Sequence, residues 1–160
     1  MGWLWSLLTG GTVEGYRGKI ATTSRSNTIS VSDDPDLTIQ LAANALYAFI
    51  AFIRPSTVNG NSQGVRIIWN YSGTIGTGGF KSCGQQALNS TQQISNVNFA
   101  LNVQAGLTTL PDAVNDYVLW IGEIHTTTAG TLSLQWAQVS SAAQASQVLA
   151  GSFLRVARMG

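Results

Sequence analysis

Residues 131–139 read TLSLQWAQV. Leu132, Leu134 and Trp136 alternate with Ser133, Gln135 and Ala137. Successive side chains of a strand point to opposite faces, so the three large apolar groups share one side. The pattern is that of a half-buried β-strand with a polar outer face. That outer face carries Ser, Gln and small groups where a globular protein commonly places Lys and Glu.

The same alternation recurs along the chain. TISVS aligns Ile29 with Val31, and DLTIQL aligns Leu37, Ile39 and Leu41. VRIIWNY aligns Val65, Ile67, Trp69 and Tyr71, and NVNFALNVQ aligns Val97, Phe99, Leu101 and Val103. YVLWIGEIHTTT leads through Ala129-Gly130 into the opening stretch, which reads as a hairpin. SFLRVARM sets Leu154 and Val156 opposite Phe153, Arg155 and Ala157. Connectors such as STVNGNSQG and SGTIGTGG are rich in Gly, Asn and Ser, and SSAAQASQ reads as a further loop. No convincing amphipathic helix interrupts them. About eight to ten antiparallel strands in one domain make an all-β sandwich or barrel.

Composition agrees. At 160 residues, a single domain buries roughly 68–70% of its unfolded surface, enough for a core without staples. Charged residues are only 9% of the chain and apolar residues 44%, the reverse of the low-hydrophobicity, high-charge balance of disorder. The net charge of +1 gives no footprint for nucleic acid. Neutral hydrogen-bonding surface can be buried against another subunit without the desolvation cost that charges carry. Cys83 is alone, which excludes an intrachain disulfide and a multi-cysteine zinc site.

The start, MGWLWSLLTGG, has no basic segment and too short an apolar run for a signal peptide or membrane span. Met1-Gly2 with Ser6 matches the myristoylation pattern by chance composition. The stretch reads as an apolar arm within residues 1–19, ahead of a sandwich domain at 20–160. Trp3, Trp5, Leu7 and Leu8 need a surface to pack on.

Two strands break the inside/outside rule. In ALYAFIAFIR, Tyr47, Phe49 and Ile53 lie on one face while Leu46, Ile50 and Phe52 lie on the other. From Tyr117, Leu119 and Ile121 oppose Val118, Trp120 and Ile124. A second apolar face needs a second burial site, and subunit association supplies one. Tyr47, Phe49, Ile53, Leu119 and Ile121 are the residues expected at that interface.

Candidate chemistry is sparse. His125, the only histidine, shares a strand face with Glu123, but no nucleophile or orienting group accompanies them. Asp33, Asp34 and Asp36 in DDPD carry clustered carboxylates that calcium uses, yet Asp and Pro are equally turn formers, and a turn is expected. The glycines at 73, 76, 78 and 79 lack the following helix of a dinucleotide site and read as a flexible loop. Asn70 and Asn89 match the glycosylation pattern, which matters only in a secretory host. No catalytic site, metal or cofactor is expected.

The blocks TTSRSNTISVSDDPDLTIQLAANALYAFIAFI and TTTAGTLSLQWAQVSSAAQASQVLAGSFLRVARM resemble the opening and closing blocks of small bacteriophage virion proteins. The resemblance spans residues 20–160 apart from a variable middle of about 80–115, and it does not reach the Trp-rich start. It implies a jelly-roll similar in outline to trimeric tumour-necrosis-factor and C1q heads, whose aromatic and aliphatic strand faces pack around a threefold axis. The expected function is therefore non-enzymatic: a homotrimeric capsid decoration or cement protein, assembled in the bacterial cytoplasm and held to the major capsid protein or another virion protein by its arm. The alternative is a tail or baseplate head binding a host surface glycan, with Tyr71 as the one aromatic candidate. Neither involves nucleic acid or a membrane.

Overall fold

The computed structural model describes residues 12–57, 64–85, 97–99, 101 and 117–159. These residues form twelve strands: β1 (Thr12–Gly18), β2 (Thr23–Arg25), β3 (Ser32–Leu41), β4 (Ala45–Ile53), β5 (Pro55–Thr57), β6 (Val65–Tyr71), β7 (Ile75–Gln85), β8 (Val97–Phe99), β9 (Tyr117–Thr126), β10 (Gly130–Gln138), β11 (Ser146–Val148) and β12 (Phe153–Arg158). A six-stranded sheet runs β1-β12-β4-β9-β7-β8, a three-stranded sheet runs β3-β10-β6, and a short ribbon runs β2-β11-β5. Every pairing is antiparallel.

The pairings are nested. The first strand pairs with the last, β2 with β11, β3 with β10, and β4 with β9. Among the described residues this is a long hairpin rolled onto itself, the connectivity of a jelly-roll sandwich. β7 departs from a fully rolled arrangement by pairing with β9 in the large sheet rather than with β6.

The core fills the space between the large sheet and β3-β10-β6. Leu132, Leu134 and Trp136 of β10 meet Tyr47, Phe49 and Ile53 of β4, Val118, Trp120 and Ile124 of β9, and Leu154 and Val156 of β12, all fully buried. Phe49 and Trp69 touch across the sheets with ring centroids 5.4 Å apart. Burying such rings removes roughly 150–250 Å² each from water, so few are needed to hold the sandwich. β6 buries Val65, Ile67, Trp69 and Tyr71, as its alternation requires.

Several expectations are corrected. Tyr47, Phe49 and Ile53 are inner-face core residues with 0% exposure, so they offer no surface to a subunit; the outer face of the same strand does. Residues 12–18, assigned to the arm, are the edge strand of the large sheet. The expected hairpin between the strand at 117 and the strand at 131 is a crossover, because β9 and β10 lie in different sheets. Ile29 is half-exposed outside any strand, so TISVS does not form one; Asn27 before it takes a left-handed φ of 55°. Gly76, Gly78 and Gly79 lie within β7 rather than in a loop. A Cβ at Gly78 would sit 2.9 Å from Leu101 Cδ1, so the missing side chain admits a core leucine.

DDPD is not a connecting turn. Thr38 pairs with Ser133 and Asp33 with Gln135, so residues 34–37 of β3 bulge out opposite Leu134 alone. Proline lacks the ladder donor and is tolerated at such a bulge. Turn chemistry is thus present, but inside a strand.

Candidate functional site

The two sheets present unlike outer faces. On β3-β10-β6 polar side chains bond within the sheet: Ser133 Oγ and Gln135 Nε2 donate to the Asp33 carboxylate at Oδ1, at 2.7 and 3.0 Å. Gln40 Nε2 donates to Thr131 Oγ1 at 2.7 Å. Ser133 is buried and Gln135 half-buried, so the outer face of β10 is largely covered instead of facing water, and its polar groups are paired within the chain.

The outer face of the large sheet is apolar and aromatic. Residues directly opposite on neighbouring strands share a face, and the register places Phe153 opposite Phe52, Phe52 opposite Leu119, and Ile50 opposite Ile121. Four rings form a row across four strands. Tyr16 of β1 stacks on Phe153 of β12 at 5.8 Å, Phe153 on Phe52 of β4 at 5.8 Å, and Phe52 on Tyr117 of β9 at 5.3 Å, with planes 19–30° apart. Gly18 makes the first stack possible. It lies opposite Phe153, and a Cβ there would stand 3.0 Å from Tyr16 Oη. The Tyr16 ring therefore leans over the bare backbone of Gly18 onto Phe153.

The row remains open to solvent at its ends, Tyr16 being 58% and Tyr117 39% exposed. Ile50, Leu119 and Ile121 continue it as half-buried groups, and Leu46 adds another apolar side chain at 40% exposure. Its charges by register are Arg155, opposite Tyr16 and Ile50, and Glu123, opposite Ala48, among the residues whose side chains are described.

Of the residues expected at an interface, Leu119 and Ile121 lie on this face and Tyr47, Phe49 and Ile53 beneath it. Phe52 and Ile50 belong to the face that sequence reasoning identified but did not select. The discriminating signal is the pair of alanines, Ala48 and Ala157, opposite each other on the outer face and buried with Ile50 and Met159 packed on them. Trp3, Trp5, Leu7 and Leu8 lie outside the described residues.

Glu123 and His125 are exposed on β9, opposite Ala48 and Leu46. Tyr71 is 2% exposed and its hydroxyl donates to Thr128 O at 2.8 Å, which places it inside rather than on a ligand platform. Burial pushes its phenol above the ordinary 10.0, with Tyr47 adding to the rise. Two of the three aspartates hold a protein cation: Lys19 Nζ lies 3.0 Å from both Asp34 Oδ1 and Asp36 Oδ2. Arg25 lies over the Trp136 ring, 4.2 Å from its centroid, and donates to the carbonyls of Ser32, Asp33 and Trp136. Burial lowers the pKa of Arg25, while Asp34 and Asp33 oppose that shift. Of eight basic and seven acidic side chains, two and three respectively meet in this cluster.

No protein-family model matches the sequence, and no curated protein matches it. Among solved structures it is similar to the CBM22-1 xylan-binding domain of Xyn10C from Paenibacillus barcinonensis, at 11% identity and a TM-score of 0.38 over 94% of this chain and 97% of that one.

Proposed function

We propose that this protein is a non-enzymatic virion structural module that works by association: a homotrimeric decoration or cement protein of a bacteriophage capsid. The single observation that carries association is the apolar outer face of the large sheet. A solvated outer face would alternate polar groups with core residues. Here the same positions hold Tyr16, Phe52, Tyr117 and Phe153 in one row, with Ile50, Leu119 and Ile121 beside it. An aromatic centre with few charges is the composition of a buried protein interface. The virion assignment rests on the resemblance of the two sequence blocks, and the arm with Trp3 and Trp5 is its proposed anchor.

The second reading, a glycan-binding receptor head, has Tyr16 and Tyr117 in its favour. Sugars stack on free ring faces, however, and each face of Phe52 and Phe153 is turned to a neighbouring ring. Only the two ends of the row remain for a saccharide.

The test is light scattering of the full chain together with co-sedimentation on empty phage shells. A trimer that sediments with shells, and a Trp3→Ser/Trp5→Ser variant that stays trimeric but does not, is the expected result. A trimer that ignores shells but is retained by a glycan array moves the assignment to the receptor head.

A further inference from the structure

The Lys19 cluster contains more than an ion pair needs. Lys19 and Asp34 have fully buried side chains, and Lys19 Nζ is 2.6 Å from Thr23 Oγ1 as well as 3.0 Å from each carboxylate. The backbone holds both partners in place. Lys19 N–H donates to Ser152 O and its carbonyl accepts from Gly151 N, each at 2.8 Å. Asp34 sits in the β3 bulge, where its Oδ1 accepts the Asp36 N–H at 3.1 Å. Its other oxygen, Oδ2, accepts the indole N–H of Trp136 at 3.1 Å. An amine, a carboxyl, a second carboxylate and an oxyanion donor therefore meet where the amine and the carboxyl are shut off from water.

We propose that Lys19 and Asp34 condense to an intramolecular amide, cross-linking the end of β1 to the bulge of β3. Held reactants within contact distance have effective concentrations far above those of free groups. In a water-excluded site the neutral amide also removes the desolvation cost of two buried charges. The ammonium of Lys19 gives a proton to Asp36, and the freed Nζ lone pair attacks Cγ of Asp34. The indole N–H of Trp136 stabilises the oxygen that remains as the amide carbonyl, as an oxyanion donor does. The Cγ bond to the other oxygen breaks. Two of the three ammonium protons, relayed by Asp36, leave with that oxygen as one water, and Asp36 returns to its carboxylate. One positive and one negative charge disappear together, with no oxidant or co-reactant.

The experiment is intact-mass spectrometry of the folded full chain, followed by tryptic mapping. The expected mass is that of the sequence less one water. The map is expected to lack cleavage after Lys19 and to contain residues 18–25 covalently joined to residues 26–66. Lys19→Arg is expected to restore the full mass, and Asp36→Asn to leave a mixture of linked and unlinked chains. An unreduced mass with normal cleavage after Lys19 overturns the proposal and leaves an ion pair only. A water loss that maps elsewhere overturns it equally.

Discussion

Replacing both ends of the aromatic row, Tyr16→Ser with Tyr117→Ser, separates what the outer face does within one chain from what it does between chains. Tyr16 exposes 58% and Tyr117 39% of its surface. Taking roughly 200 Å² per ring, about 120 and 80 Å² would leave water on association. At about 25 cal/mol per Å² those areas are worth up to about 3 and 2 kcal/mol for each face covered. A loss of about 5 kcal/mol weakens association by three to four decades. Within the chain the same change removes two ring stacks, each worth about 0.5–1.5 kcal/mol. That leaves most of the roughly 5–15 kcal/mol that holds a domain folded. The double variant should therefore melt as a folded protein yet behave as a monomer where the parent is associated. The assay is sedimentation equilibrium over a dilution series, with urea unfolding in parallel. A midpoint of dissociation within threefold of the parent would show that the face is not the contact. A parent that is monomeric at every concentration would remove the association argument altogether.

Other perturbations test the local geometry. Gly18→Ala places a Cβ 3.0–3.1 Å from the Tyr16 ring; because that ring is exposed and able to move, urea unfolding should shift by no more than about 1 kcal/mol, while association weakens as the row loses its end. Gly130→Ala is the opposite case, since its Cβ would strike the Gly73 backbone, with Gly73 Cα at 2.8 Å. No side-chain motion relieves that clash, and a loss of more than about 2 kcal/mol is expected in thermal or urea unfolding. Arg25→Lys keeps the charge over Trp136 but loses the guanidinium fork that reaches several carbonyls, so a cost of about 1–2 kcal/mol is expected by urea unfolding. The raised pKa of Tyr71 means that the folded state holds its proton more tightly than the unfolded chain. Its contribution is complete below the ordinary 10.0 and is lost as pH rises through the higher folded value. Urea midpoints should fall as the pH rises from 10.0 toward that folded value, and less steeply in Tyr71→Phe; equal slopes would refute the assignment.

The fold class was legible because alternation is a local property. Val65, Ile67, Trp69 and Tyr71 enter the core from β6 on period two alone, and Leu132, Leu134 and Trp136 do so from β10. The same signal could not say which apolar side of β4 is the inner one. Tyr47-Phe49-Ile53 and Leu46-Ile50-Phe52 are equivalent by period, and the choice depends on β12 and β9 flanking β4 with Ala157 opposite Ala48. A turn signal was present in DDPD, but whether it ends a strand or bulges one depends on the register of β10.

The sequence by itself determined the all-β, antiparallel fold class, the sparing use of charge, and an apolar strand surface larger than one core requires. Only the tertiary structure decided that Tyr16, Phe52, Tyr117 and Phe153, up to 137 positions apart in the chain, form one row, and that Lys19 meets Asp34 in the interior. Alternation follows from the geometry of each strand alone, whereas neighbours across a sheet are set by long-range pairing, which depends on how the whole chain closes and leaves no local pattern.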